Sequence, residues 1–204
     1  RSYSVTGVQT CALPIWQYRR LKMEVHAEAL IGQPLLNDEV TVFVRLGSDY
    51  KSNFYEYEIP LKLTPYGRYS NDDEDDRAIV WPEDNRVDID LSLLLDAKQE
   101  RDAAMRVAGS SISEADIYSI TVGDARISVS GSPNLSNVRV VMAGVRNPIR
   151  TRDPARDDGA PKSAEVWINE LRLSDFREEG GWAANAQMQA RLADLGTVNL
   201  VGQT

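Results

Sequence analysis

Cysteine is almost absent from this chain of 204 residues, which contains Cys11 and no other. A single cysteine excludes a disulfide within the chain. A chain with so little cysteine suits an oxidising compartment outside the cytoplasm, although many cytoplasmic domains also lack thiols. No run of about 18 apolar residues is present, so the sequence predicts no transmembrane helix. The strands of a membrane barrel give a much weaker signal in a sequence, so the absence of such a run does not exclude a barrel.

Basic residues are outnumbered by acidic ones, with 23 Lys and Arg against 31 Asp and Glu and a formal net charge of −8. Lysine and arginine are scattered along the sequence, and the one dense charged run is acidic. Binding to nucleic acid requires a basic surface that neutralises phosphates. We therefore expect no nucleic-acid partner.

Residues that carry covalent or metal chemistry are also scarce. His26 is the only histidine, and no cysteine besides Cys11 exists to complete a zinc site. His26 lies in an alternating segment and no G-x-S-x-G elbow is present, so a catalytic triad is not indicated. Neither a G-x-G-x-x-G nor a Walker motif is present. The sequence therefore predicts a protein that is not an enzyme, with no catalytic residue, metal or cofactor.

Acidic side chains are concentrated at three places. The run Asp72–Asp76 has enough oxygens for calcium but lacks the EF-hand spacing and its central glycine, so a solvated acidic loop at 70–77 is expected. The pairs Asp88/Asp90 and Asp157/Asp158 have the residue type of glycosidase carboxylates. Surface positions in water are the expected role of both pairs.

The first 15 residues, RSYSVTGVQTCALPI, are unlike the rest of the chain. They resemble the translation of sequencing-adapter read-through that begins some gene models from assembled metagenomes. They lack an initiator Met and the charged-then-apolar order of a signal peptide. We therefore expect residues 1–15 to be an artefactual leader, and both ends of the chain to be truncations.

Alternation of apolar and polar residues predicts half-buried strands through most of the chain. Gly123-Asp124 predicts a tight hairpin, and Pro60 predicts an edge or a bulge. Between 91 and 107 the period becomes helical, which predicts one amphipathic helix closed by Gly109. The pattern favours a mainly β fold, a jelly-roll-like β-sandwich with one helix over residues 16–176. The predicted strands lie at 21–27, 40–46, 54–63, 87–91, 117–122, 125–130, 137–145 and 165–173.

Two groups within the sandwich have an alternative functional interpretation. Asn169 and Glu170 lie on a strand that resembles the last strand of carbohydrate-binding jelly rolls, where an acidic residue helps to hold a cation; packing at the strand end is the expected role. A set of aromatic residues has the chemistry to stack on sugar rings, but filling the core is expected instead. This set comprises Phe54, Tyr55, Tyr57, Tyr66 and Tyr69.

From Trp182 the pattern becomes two-faced, as in a transmembrane barrel hairpin with a short turn at 194–196. Residues 177–204 are therefore predicted to begin a large barrel, truncated here, with Trp182 as an interfacial aromatic. The closing hairpin of a soluble sandwich stays open as the alternative. The candidate lipid-facing residues are Ala184, Ala186, Met188, Ala190 and Leu192. The candidate lumen-facing residues are Asn185, Gln187, Gln189 and Arg191.

Residues 164–202 resemble a segment of the SprA (Sov) family. That family carries a W-[IV]-N-E-L-R-L strand, a D-F turn, then G-G-W-A-A-N-A and L-A-D. The stretches YEYEIPL at 55–61 and NVRVVMAGVRNP at 137–148 also resemble it, so the similarity spans most of residues 16–204. The matching residues include Trp167, Asn169, Glu170, Leu171, Arg172, Leu173, Asp175, Phe176, Gly180, Gly181, Trp182, Ala183, Ala184, Asn185, Ala186, Leu192, Ala193 and Asp194.

The resemblance implies a fragment of the outer-membrane translocon of the type IX secretion system, which exports proteins to the cell surface and supports gliding motility. It implies secreted proteins with C-terminal signal domains, a PorV-like shuttle protein, a plug protein and outer-membrane lipid as partners. The implied location is the outer membrane, with the sandwich outside the cell. A secreted or surface carbohydrate-binding β-sandwich is the main alternative.

Overall fold

The computed structural model describes residues 3–13, 15–148, 160–177, 185–192 and 196–203, of which 3–13, 185–192 and 196–203 are described by their backbone. Eleven strands and two α-helices lie in the described part. The elements are β1 (Tyr3–Leu13), β2 (Tyr18–Ala29), β3 (Thr41–Gly47), β4 (Phe54–Pro60), α1 (Glu74–Val80), β5 (Val87–Asp90), α2 (Leu91–Met105), β6 (Tyr118–Val122), β7 (Ala125–Ser130), β8 (Val138–Arg146), β9 (Ala164–Phe176), β10 (Asn185–Leu192) and β11 (Gly196–Gln203).

Strands β1–β9 and the two helices form a sandwich. Six strands form a large sheet in the order β1-β8-β3-β4-β7-β6, and three form a smaller sheet in the order β5-β2-β9. Every neighbouring pair in both sheets is antiparallel. The mainly β sandwich predicted from the sequence is therefore confirmed, whereas its jelly-roll type stays a prediction.

The core lies between the two sheets. Because side chains alternate across a strand, each strand contributes every second residue to one apolar layer. The small sheet contributes Leu21, Met23 and Val25 from β2, and β9 adds Val166 and Ile168 at the margin. The large sheet contributes, among others, Val42, Val44, Leu46, Tyr55, Ile127, Val129 and Val141.

Helix α2 packs chiefly against β7 and also contacts β2, β4, β5 and β6. It begins because Asp90, the last residue of β5, accepts a hydrogen bond from the Ser92 amide at 3.0 Å and so caps the first turn. Leu91, Leu94 and Ala97 are buried on its inner face. The helix predicted at 91–107 is confirmed, but it ends at Met105 with Arg106 as its C-cap, so the prediction that Gly109 closes it is wrong.

The tight hairpin predicted at Gly123-Asp124 is present, since β6 pairs with β7 and Val122 lies opposite Ala125. Gly123 has φ +60, a conformation that favours glycine at this position of a two-residue turn. Pro60 is the last residue of β4, which is an interior strand. The pairing of β4 with β7 ends at Glu58, so Pro60 lies beyond it and removes no hydrogen bond from that ladder.

The prediction of one helix and of an acidic loop at 70–77 is wrong. Glu74–Val80 form a second helix, α1, which takes up most of the acidic run. The Asp73 carboxylate accepts hydrogen bonds from the amides of Asp75 and Asp76, and the acidic residues of the first turn face the positive end of the helix dipole. The acidic run that was interpreted as a loop therefore stabilises the beginning of a helix.

The segment predicted as an artefactual leader contains β1, which pairs through its backbone with β8 at the edge of the large sheet. An adapter origin of residues 1–15 stays a prediction. At the other end of the chain, β10 and β11 form an antiparallel hairpin of their own. Among the described residues, no helix has the length and apolar character needed to cross a membrane.

Candidate functional site

The outer face of the large sheet, which points away from the core, carries a buried group of charged side chains. Glu56 and Glu58 of β4 are 3% and 2% exposed. Three arginines surround them, one each from the neighbouring strands β3 and β7 and one from β8: Arg45, Arg126 and Arg146. We call these five residues the arginine–glutamate network. The strand register explains its composition, because Arg45 lies opposite Glu56 and Glu58 lies opposite Arg126.

Each carboxylate of the network accepts several hydrogen bonds. The Glu56 Oε2 atom lies 2.9 Å from Arg45 Nε and 2.9 Å from Arg146 Nη2. Glu58 accepts from Arg126 Nη2 at 2.6 Å, from the Thr41 hydroxyl at 2.6 Å and from Arg146. Bonds between ions are stronger than neutral ones, and all of these lie where little water competes.

The electrostatics of the network favour its charged state. Burial alone would raise the pKa of Glu56, but hydrogen bonds and charges from Arg146 and Arg45 outweigh burial and hold that pKa below its usual value. Burial likewise lowers the pKa of Arg146, yet its bonds to Glu56 and Glu58 raise the pKa overall. The Glu56 carboxylate therefore stays ionised because Arg146 and Arg45 compensate its burial.

Two phenylalanines complete this face. The Arg45 guanidinium lies 3.8 Å from the centre of the Phe54 ring, and that of Arg146 lies 4.4 Å from the centre of the Phe43 ring. Such contacts add cation–π attraction to the ion pairs. The charges of the network pair with one another, so the network stabilises the contact between strands and is not a reactive site.

The sequence did not predict the arginine–glutamate network, because its members are far apart in the chain. The alternation of Tyr55 and Tyr57 with Glu56 and Glu58 is the one local signal.

The turn after β7 is held to the helix by a second polar group. Arg101 of α2, only 1% exposed, donates to the Gly131 carbonyl and pairs with Asp102 at 2.8 Å. The Tyr55 hydroxyl donates to the Pro133 carbonyl at 3.0 Å, and burial raises the pKa of Tyr55 to about 12. Gly131 has φ +67, and a Cβ there would lie 2.1 Å from the Ser52 carbonyl oxygen. These contacts fix the turn after β7 against α2 and β4.

His26 is buried on the outer face of the small sheet. Its Nδ1 atom lies 2.8 Å from the Val80 carbonyl, which only accepts, so Nδ1 carries the hydrogen and donates it. Its ring lies 4.9 Å from that of Trp167 and 5.9 Å from that of Trp81. The Nε2 atom faces Glu28 at 3.7 Å. This packing joins the end of α1 to β2 and β9.

The family residues on β9 have distinct positions. Trp167 lies opposite His26 and Asn169 lies opposite Glu24 in the pairing with β2. Glu170 has φ +53 and falls where the register shifts, so it forms a bulge in the strand. Its carboxylate pairs with Arg172 at 2.6 Å, with both side chains half exposed. Asn169 and Glu170 are both exposed and lie inside β9, so the expected role in strand-end packing stays a prediction.

The acidic candidates that the structure describes have partners within the fold. Asp88 pairs with Arg20 at 2.7 Å, and Asp90 caps α2, where the amide and hydroxyl of Ser92 hold its pKa below the usual value. Asp157 and Asp158 lie outside the described residues. Within the described ranges, no group of three or more His, Cys, Asp or Glu side chains is placed to hold a metal ion.

The aromatic set does not form an exposed platform. Phe54 and Tyr55 are buried on opposite faces of β4, Tyr57 packs against the core, and Tyr66 is 90% exposed. A surface that stacks sugar rings needs several exposed rings on one side, and Phe54 and Tyr55 are not available for it. Filling the interior is therefore the main role of this set, as the sequence indicated.

The register of the β10–β11 hairpin pairs residues of like character. Asn185, Gln187, Gln189 and Arg191 lie opposite Gln203, Val201, Asn199 and Thr197, whereas Ala186, Met188, Ala190 and Leu192 lie opposite Gly202, Leu200, Val198 and Gly196. With the exception of Val201, one set is polar and the other apolar or glycine. Ala184 and Trp182 lie outside the described residues. Which set meets lipid stays a prediction.

Taken together, the described residues define a mainly β protein of two packed sheets with few helices, whose buried charges serve the fold. Residues 2–204 match a family described as motility related/secretion protein, SprA_N. The chain belongs to this SprA family, so the resemblance seen in the sequence is confirmed. The match includes the segment that contains β1. The family is one of motility and secretion and not of enzymes. None of the curated proteins matches the chain.

Proposed function

We propose that this chain is part of an outer-membrane protein-conducting translocon that exports proteins to the cell surface. The sandwich would form a cap or a wall of the exit path, and the β10–β11 hairpin would begin the barrel. No covalent chemistry is required, because the work consists of keeping a water-filled passage open through lipid. Membership of a motility and secretion family supports the general role.

The observation that carries the finer proposal is the register of the hairpin. Gln189 lies opposite Asn199 and Met188 lies opposite Leu200, so the two strands divide into one polar and one apolar set. Strands of a membrane barrel need this division, with lipid on one side and a wet lumen on the other. Hydrocarbon also requires every strand edge to be paired, so the hairpin would need further strands to complete a barrel.

The turn length suggests an orientation. Outer-membrane barrels keep short turns in the periplasm and long loops outside. The connection between Leu192 and Gly196 is short, which would place it in the periplasm and Trp182 near the outer surface. The sandwich would then lie outside the cell, where secreted proteins with C-terminal signal domains, a PorV-like shuttle and a plug protein would meet it.

Cysteine labelling of the parent protein in intact cells tests the barrel proposal. Any thiol of the parent protein that the reagent labels, including Cys11 where it is present, is first replaced by serine. Gln187→Cys and Met188→Cys then form a matched pair of neighbouring positions. A small membrane-impermeant maleimide should label the first through the wet lumen, whereas lipid should shield the second. Equal labelling of both positions, or labelling of Met188→Cys alone, would refute the assignment.

An inserted tag beside Asn71 tests the sidedness independently. Asn71 precedes α1 in an exposed segment of the sandwich, so an insertion there leaves both sheets intact. The tag should be accessible to antibody on intact cells. Detection only after lysis would place the sandwich on the periplasmic side, without deciding whether the hairpin belongs to a barrel.

A further inference from the structure

Strand β9 forms one edge of the small sheet among the described residues. In the order β5-β2-β9 it is the last strand, and none of the described strands pairs with its outer side. The bulge at Glu170 interrupts this edge, but from Ala164 to Asn169 the register with β2 is continuous. An edge of this kind presents backbone donors and acceptors that can accept another strand.

The side chains beside this edge are aromatic and acidic. Trp167 is 51% exposed although it also contacts His26. Its indole Nε1 donates to Glu165 at 2.8 Å. Glu28 of β2 lies directly opposite Glu165, so two carboxylates face one another across the strands. We call Glu28, Glu165, Trp167 and the free edge at 164–169 the β9 edge surface.

The facing carboxylates lack a strong cation of their own. Within the part of the chain that the structure describes, neither Glu28 nor Glu165 forms an ion pair with a lysine or an arginine, and the nearest candidate for Glu28 is the His26 imidazole at 3.7 Å. Like charges placed opposite one another in a sheet are destabilising. The five residues of the arginine–glutamate network show that this fold elsewhere supplies arginines where carboxylates meet.

We propose that the β9 edge surface binds an extended, basic polypeptide segment of a partner protein. The segment adds as a strand along residues 164–169, and its lysine or arginine side chains reach Glu28 and Glu165 beside the Trp167 ring. The occupant follows from charge complementarity: backbone pairing supplies affinity, and the two carboxylates select positive charge. Cation–π attraction to the exposed indole favours the same side chains. This inference holds whether or not the hairpin belongs to a barrel.

Binding of fluorescent heptapeptides to the full 204-residue chain, followed by anisotropy, tests the proposal. The first probe alternates valine and lysine, and the second alternates valine and glutamate. The third repeats the lysine sequence with alternate backbone nitrogens methylated, which keeps the charge but removes the hydrogen bonds along one edge. The lysine peptide should bind, and the other two should bind at least about tenfold more weakly.

Two double variants with the same change in charge sharpen the test. Glu28→Gln/Glu165→Gln should weaken binding of the lysine peptide about tenfold, because two partly exposed ion pairs are lost. Glu100→Gln/Glu114→Gln, which changes exposed glutamates on α2 and in the loop before β6, should bind within about twofold of the original chain. Both double variants should keep the circular dichroism and melting behaviour of a folded sandwich.

Three results would overturn the proposal. Equal weakening by both double variants would mean that the peptide senses only the net charge of −8. Undiminished binding of the methylated peptide would exclude strand addition. Binding of the neutral sugar cellohexaose in place of the lysine peptide would make the surface a carbohydrate platform.

Discussion

The two outer faces of the sandwich use carboxylates in opposite ways. On the large sheet, Glu56 and Glu58 are buried and are matched by three arginines from three strands. On the small sheet, Glu28 and Glu165 face one another with an imidazole and an indole as their neighbours. The first arrangement satisfies itself within the fold. In the second arrangement the described residues supply no lysine or arginine to pair with the carboxylates, so binding of a positively charged partner would stabilise this surface more.

The difference also separates stability from recognition. Loss of one member of a buried ion pair strongly destabilises the fold, because the remaining charge is left buried without a partner and without water. Substitution of a partly exposed carboxylate pair changes the free energy of unfolding little, since water and salt screen its charges. Substitutions on the large sheet should therefore affect folding, whereas those on the small sheet should affect binding.

The largest expected effect is that of Arg146→Ala on stability. It removes the one side chain among the described residues that bonds to both Glu56 and Glu58, and we expect a loss of about 4 kcal/mol in the free energy of unfolding. Urea denaturation of the 204-residue chain measures it. Arg139→Ala, on the same strand but exposed and without an ion pair to any described residue, is the matched control and should cost less than about 0.5 kcal/mol. Similar losses in both variants would contradict the special role of the network.

Acid should weaken the large sheet by a smaller amount. Because the pKa of folded Glu56 is below its usual value, its contribution is present above the unfolded pKa of about 4.3 and is lost as the pH falls below that value. A protonated carboxyl still accepts one hydrogen bond, so the loss should be less than that of Arg146→Ala.

The measurement for this prediction compares urea midpoints at pH 5 and pH 3 for the original chain and for Glu56→Gln. Other carboxylates also contribute to acid sensitivity in this range. The pKa of folded Asp49 is lowered to about 2 by hydrogen bonds from the Ser52 amide and the Asn53 side chain, so its contribution to stability begins to be lost once the pH falls below the unfolded pKa of about 4. The informative quantity is therefore the difference between the two proteins. The variant should be the less sensitive to acid, and equal sensitivity would exclude Glu56 as a source of the effect.

Trp167→Ala should have a modest effect on folding. Truncation of a buried tryptophan costs about 3–5 kcal/mol, but half of this side chain already meets water. The loss of its contact with His26 should cost about 1 kcal/mol, measured by urea denaturation. A loss as large as that of Arg146→Ala would show that Trp167 belongs to the core and would break the contrast between the two faces.

The smallest expected effect has the opposite sign. Glu165→Gln relieves the repulsion from Glu28 and should raise the free energy of unfolding by about 0.5 kcal/mol at low ionic strength. The gain should shrink in 0.5 M salt, where the charges are screened. A substantial loss of stability would mean that Glu165 makes a structural contribution through the Trp167 indole.

Local pattern predicted the strands well because burial on one face leaves a period of two in the sequence. The hairpin at Gly123-Asp124 and the helix after Asp90 were predicted for the same reason, since turn and capping residues act on their neighbours. Helix α1 was missed because its acidic residues were interpreted as solvated, although Asp73 is positioned as a helix cap.

The arginine–glutamate network and the β9 edge surface were beyond prediction for a different physical reason. Arg45, Glu58 and Arg146 meet because three strands are neighbours in a sheet, and Glu28 meets Glu165 because β2 pairs with β9. Alternation indicates which face of a strand is buried but not which strand lies beside it. The sequence alone therefore gives no sign that an outward-facing Glu56 is buried beside arginines.

The position of β8 and β9 in the two sheets has a consequence for how the protein is made. β8 joins β1 to β3, and β9 pairs with β2, so each sheet incorporates a strand from late in the chain beside one from early in it. Such long-range pairing carries a high entropic cost and slows folding. A ribosome or a secretion channel would release the early strands long before β9, and until it arrives the apolar side of β2 would depend on chaperones for protection.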